Sequence, residues 1–169
     1  MSCSQTLAGI ASDCSTSMGG VKRIWITDYK ADAALLSGET GEIGSFSGVT
    51  SSDWKAYYVR KNTSSFTSTL NVDPANGVNY VSTELSLTFT KMETAKRIEM
   101  SALVVADVMV VVEDANGNQW FLGYNEPVTA TAGTGETGTA KTDGNKYTLT
   151  LTDESETFPY KLADAAKLE

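Results

Sequence analysis

Phe66-Thr67-Ser68-Thr69-Leu70-Asn71-Val72, then Asp73-Pro74-Ala75-Asn76-Gly77, then Val81-Ser82-Thr83-Glu84-Leu85-Ser86-Leu87-Thr88-Phe89: this stretch decides the fold class. Phe66, Ser68, Leu70 and Val72 recur every second residue, the period of a half-buried strand. Val81, Thr83, Leu85, Leu87 and Phe89 do the same. Between the runs, Pro74 fixes its own φ and Asn76-Gly77 accepts positive φ. Two alternating runs around a tight turn spell a long β-hairpin.

Toward the C-terminus, Thr90-Lys91-Met92-Glu93 matches a capping box, in which the threonine hydroxyl accepts from the Glu93 amide. Ala95, Ile98, Ala102 and Val105 then share a helical face, which predicts one helix ending near Asp107 with those residues inward and Lys96 and Glu99 outward. Val108 to Val112 is β-branched and reads as a core strand. Asn116-Gly117 turns it into a second hairpin with Gln119 to Leu122. Residues 123–145, rich in Gly, Thr and Ala, read as a long loop. Tyr147, Leu149 and Leu151 alternate in a last strand over Lys146 to Thr152. An acidic and then weakly helical stretch closes the chain.

Toward the N-terminus, Trp54 to Lys61 reads as a strand with aromatics on both faces. The glycine-studded region 30–52 carries little pattern beyond one short strand near Glu42 to Phe46. Val21 to Tyr29 is a strand with Ile24 and Ile26 on one face and Trp25 on the other. The first twenty residues, small and polar and ending in Gly19-Gly20, read as an arm with one helical turn around Leu7 to Ala11. The expected architecture is therefore mainly β: a β-sandwich or partly open barrel with one flanking α-helix and a long hairpin. Its expected divisions are an arm at 1–20, a single domain at 21–160 and a tail at 161–169.

Composition narrows the chemistry. A chain of 169 residues buries roughly 70% of its unfolded surface, enough for one core. No apolar run approaches the ~20 residues that span a bilayer, and Leu103 to Val112 is interrupted by Asp107. The N-terminus shows no secretion signal, so the expected place of synthesis is the cytoplasm. The formal net charge of −8 opposes binding to nucleic acid phosphates and to anionic membranes. There is no histidine, which removes the commonest general base and metal ligand. Cys3 and Cys14 read as free thiols. No catalytic residue, metal or cofactor is expected.

Four features invite a site and are better read otherwise. Gly133 and Gly138 are spaced as in a phosphate loop, but Thr139 stands where the lysine belongs and a strand, not a helix, follows. Asp114-Ala115-Asn116-Gly117-Asn118 begins like a calcium loop yet lacks its later ligands, and a hairpin turn accounts for it. The acidic pairs Glu113/Asp114 and Asp153/Glu154 read as solvated charge. Trp25, Trp54 and Trp120 read as packing residues.

Arg60-Lys61-Asn62-Thr63-Ser64-Ser65, Leu70-Asn71-Val72-Asp73, Met92-Glu93-Thr94-Ala95-Lys96-Arg97, Val111-Val112-Glu113-Asp114 and Thr142-Asp143-Gly144-Asn145-Lys146-Tyr147 resemble small virion proteins of tailed bacteriophages, particularly those of gut Bacteroides-type hosts. Gly19-Gly20 before the first strand fits the same group. Within it, the order of strand, hairpin, helix and strand is similar to tail tube proteins. The resemblance implies a homo-oligomeric ring, stacked into a tube whose inner β-barrel lets DNA pass without specific binding. It implies other virion proteins as partners, the virion as location and no membrane. It also implies an assembly interface carried by the hairpin (Leu70, Val72, Pro74, Asn76, Gly77) and by the end of the arm (Gly19, Gly20). A capsid-decorating or head-tail connector protein is the alternative within the same kind of virion, and a ligand- or carbohydrate-binding β module is the alternative outside it.

Overall fold

Val108 to Val112 is apolar at every position, so a strand built from it must be covered on both faces. A computed structural model, which describes residues 9–38 and 41–169, shows how that is done. The strand β7 (Val108–Asp114) lies in a five-stranded antiparallel sheet, beside β1 (Val21–Asp28) on one side and β8 (Gln119–Leu122) on the other. The short strands β4 (Lys55–Tyr58) and β11 (Tyr160–Lys161) form its edges.

One face of this sheet packs on a four-stranded sheet ordered β5 (Ser65–Asp73), β6 (Val78–Thr90), β10 (Lys146–Ser155) and β9 (Thr129–Glu136). Ile24, Ile26, Val110 and Val112 meet Leu85, Leu87, Leu149 and Leu151 there, all buried. The molecule is therefore mainly β, a sandwich with one helix, and among the described residues no sheet closes into a barrel.

The other face of the five-stranded sheet is also covered. Trp25, Met109, Val111 and Phe121 pack under a hairpin formed by β2 (Ala34–Leu36) and β3 (Ile43–Phe46), together with Trp54, Leu162 and Ala166. The pattern-poor region 30–52 is thus an outer layer: Ala33, Ala34 and Ile43 are buried in it. The segment 161–169 also belongs to this layer. Leu162 is fully buried and forms a parallel bridge with Ile43. The buried Gln119 side chain donates to the Leu168 carbonyl and accepts from the Leu168 amide, binding the segment as a neighbouring backbone would.

Three expectations change. Residues 123–145 are not one loop, because β9 runs through them; its Thr, Ala and Gly residues lack the apolar alternation that marks a strand. Gly135 earns its place there, since a Cβ would meet the Tyr147 ring at 2.9 Å. The capping box does not form either. Thr90 still pairs with Lys146 in the sheet, and Lys91 turns the chain with a φ of +67°, so Glu93 becomes the N-cap of α1 (Thr94–Val105) without a side-chain cap bond. Glu93 instead pairs with Lys91 and Lys96.

The third change is the face of the helix. Met100 and Leu103 point into the core, while Ala95, Ile98, Ala102 and Val105 are exposed. The helix carries two apolar stripes, and the bulkier pair fills the gap between the sheets. The helical turn expected at Leu7 to Ala11 lies partly outside the described residues, and Gly9, Ile10 and Ala11 are not helical.

Replacing Leu162 with alanine removes an apolar plug from the outer layer, at an expected cost of about 2–5 kcal/mol. Urea unfolding checks this; a loss below about 1 kcal/mol would show the outer layer to be dispensable.

Candidate functional site

The hairpin outgrows its own sandwich. β10 supports β6 only from Val81 to Thr90, pairing Ser155 with Val81. Beyond that point β5 and β6 continue as a two-stranded ribbon, with Asn71 opposite Tyr80, Val72 opposite Asn79 and Asp73 opposite Val78. Residues opposite one another in an antiparallel pair share a face. Leu70 and Val72 thus continue the inward face of Leu85 and Leu87: Leu70 lies opposite Val81, the last residue of β6 that β10 supports, and Val72 lies beyond it. Val78 and Tyr80 lie on the opposite face. The exposures are 49% for Leu70, 58% for Val72, 41% for Val78 and 37% for Tyr80, so among the described residues each face of the ribbon leaves two large apolar side chains partly exposed, beside Asn79 on one face and Asn71 and Asp73 on the other.

The tip is held in shape by Asp73. Its carboxylate accepts from the amides of Ala75 and Asn76 and from the Asn76 side chain at 2.6 Å. These bonds hold the Asp73 carboxyl below the usual carboxylate range, the Asn76 side chain contributing most. Gly77, with a φ of +67°, closes the turn where a Cβ would be strained. Leu70, Val72, Pro74, Asn76 and Gly77 therefore form one projecting unit.

Gly19 and Gly20 belong to a different place. The described part of the arm, residues 9–20, is exposed throughout and has no regular structure. Its end is fastened to the β7–β8 turn: the Ala115 amide donates to the Gly20 carbonyl, and Asn116 both accepts from the Met18 amide and donates to its carbonyl. Cys14 in this arm is an exposed free thiol, and Cys3 lies outside the described residues.

The loops that resemble ligand sites are internally occupied. Asp143 accepts from the amides of Thr139 and Ala140, filling the space an anion would take. Asp114 accepts from the amides of Asn116 and Asn118 and from the indole of Trp120, which explains the turn without a cation. Trp25 and Trp54 are buried in the outer core, as their reading as packing residues requires.

The acidic pairs are not solvated in the way expected. Glu113 is buried between Lys22 at 2.8 Å and Arg23 at 2.9 Å, and a register shift at the start of β1 brings both cations onto it. Burial alone would raise its pKa, but the two ion pairs outweigh it and hold the carboxyl low. Asp153 has no such cation. It sits on the inner face of β10 opposite Thr83, accepting only from the Gly123 amide at 3.1 Å, and Glu126 and Glu154 lie near enough to repel it. Burial, the main cause, pushes it up to about 6. No sequence pattern distinguishes these two carboxylates from surface ones; only their place on an inner face does.

No protein family, curated protein or solved structure matches the chain. Among the described residues no group of three or more acidic or thiol side chains could hold a metal, and no helix is long and apolar enough to cross a membrane.

The buried Asp153 gives a pH dependence whose sign follows from its raised value. Between about pH 4 and pH 6 the folded chain keeps a proton that the unfolded chain has released. Stability from this group is full below pH 4 and is lost as pH rises through 6, a total of about 3 kcal/mol for a shift of this size. Asp153→Asn keeps the acceptor for Gly123 and removes the charge. Denaturation at a series of pH values should show the variant more stable than the parent at pH 7.5 and equal to it near pH 4; parallel curves would reject the assignment.

Proposed function

We propose that the chain is a structural subunit of a bacteriophage virion that assembles with its own copies into rings stacked as a tail tube. The observation that carries this reading is the projecting hairpin. Leu70, Val72, Val78 and Tyr80 stand exposed together on this one ribbon, and a neighbouring subunit would bury them. A two-stranded ribbon is also marginal by itself and gains its stability from partners.

The four-stranded sheet supports the same reading. Its outward face carries Thr67, Thr69, Ser82, Ser86, Thr148 and Thr150, with Glu84 and Glu154 as charges. Tyr80 and Lys146 stand at the two ends of this face, and between them it offers DNA neither aromatic stacking nor cationic attraction, while its acidity repels phosphates. Its outer strands, β5 and β9, each pair on one side only. Neither contains proline, and their charges sit at the ends, at Asp73 and Glu136, although a register shift against β10 and the neighbouring α1 partly shield β9. Joining β9 of one copy to β5 of the next would extend the sheet around a lumen.

Negative-stain electron microscopy at several concentrations, with sedimentation velocity alongside, tests the proposal. Rings or tubes with a central hole are expected from the parent chain. Leu70→Asp with Val72→Asp should leave a folded monomer and raise the concentration needed for assembly at least tenfold. Closed small oligomers that never elongate would overturn the tube reading and favour a capsid-associated role.

A further inference from the structure

The two ends of the molecule are complementary in charge and in apolar shape. Strand β6 defines the long axis: Val78 stands at the hairpin end and Phe89 at the other, roughly 35–40 Å apart at the rise of an extended strand. Around the hairpin end lie Asp73, Glu126, Glu154 and Glu156, together with the buried Asp153. The adjoining segments 66–83, 121–131 and 151–158 contain no lysine or arginine. Tyr80 shares a shallow pocket there with Glu126, Glu154 and Glu156.

The opposite end is basic in a chain whose net charge is −8. Arg60 and Lys61 follow β4, Lys91 lies in the turn before the helix and Lys96 and Arg97 in its first turn, against the acidic Glu93 and Glu99. The neighbouring β9–β10 turn adds Lys141 and Lys146 but balances them with Glu136 and Asp143.

At this basic end lies a groove of about 300 Å³ between β4 and α1, walled by Tyr57, Tyr58, Phe89, Ala95, Met100 and Leu103. Tyr57 is steadied by donating to Glu99 at 3.1 Å and by packing against Phe89 with ring centroids 6.2 Å apart. β4 pairs only with β1, so the groove borders an open sheet edge. The stripe of Ile98 and Ala102 on the same helix is exposed among the described residues.

We propose that this groove receives the hairpin end of a second copy, head to tail. The inference rests on the self-assembly reading and names the surface that meets the hairpin. A chain cannot fill its own groove, because its hairpin lies at the far end. Two hairpin ends meeting symmetrically would bring acidic clusters together, whereas hairpin on groove pairs acidic with basic and apolar with apolar. The contact joins unlike surfaces, so it passes from copy to copy, closing into a ring or extending as a filament according to the rotation between copies.

The test uses full-length chains with Cys3→Ser and Cys14→Ser. One carries Tyr80→Cys, the other Ala95→Cys, and a short bismaleimide is added to each alone and to the mixture. A crosslinked dimer confined to the mixture is expected. In parallel, Arg97→Glu and Glu154→Lys should each weaken assembly about tenfold, and combining them in one chain should restore most of it. Assembly that proceeds without the mixed crosslink and ignores both charge reversals overturns this docking while leaving self-assembly standing. A parent chain that stays monomeric at every concentration sinks both.

Discussion

The structure depends on one sheet being dry on both faces. β1 and β7 alternate Ile24, Ile26, Val110 and Val112 on one side with Trp25, Met109 and Val111 on the other, and neither side can be left to water. Burying an aliphatic side chain of this size is worth about 1.5–3 kcal/mol, so the second face is as demanding as the first. The four-stranded sheet satisfies one requirement. The other draws in segments with little structure of their own, the β2–β3 hairpin and the chain after Tyr160. Those segments fold because the sheet needs a cover, which explains why Ile43 and Leu162, far apart in sequence, come to share a bridge.

The sandwich leaves its polar problems near its margins. Glu113 enters a buried site only with two cations attached. Asp153 is accommodated as a partly neutral acid, at the place where the inner face of the four-stranded sheet changes from leucine to Thr83, Asp153 and Ser155. Past that change the ribbon of β5 and β6 runs beyond the support of β10, and its apolar residues are left partly exposed. Core and candidate interface are thus the same alternating pattern, divided by where the support of β10 stops.

Much of this was legible in the sequence. The alternation from Phe66 to Phe89 specified both hairpin strands, and Ile24, Trp25 and Ile26 were assigned to their correct faces. What stayed hidden depended on tertiary context. β9 has no large apolar residues to alternate, since it lies largely exposed, and at Gly135 the Tyr147 ring and Met92 occupy the space a side chain would fill. The helix offered two plausible stripes, and only the width of the gap between the sheets selects Met100 and Leu103. The projection of the hairpin could not be read either, since Leu70 looks like Leu85 until one knows that β10 supports β6 no further than Val81.

The late position of Leu162 bears on how the chain is made. β1 leaves the ribosome early, but its partner β7 follows much later and the outer cover last of all. Its apolar faces must therefore wait through most of translation, as is general for sheets built from distant segments. The β5–β6 hairpin is closed by a local turn and can form far sooner. Chains growing side by side on one messenger would display Leu70 and Tyr80 before any has a finished groove to receive them. On the head-to-tail proposal, the order of synthesis would thus separate the appearance of the hairpin from the appearance of its receptor.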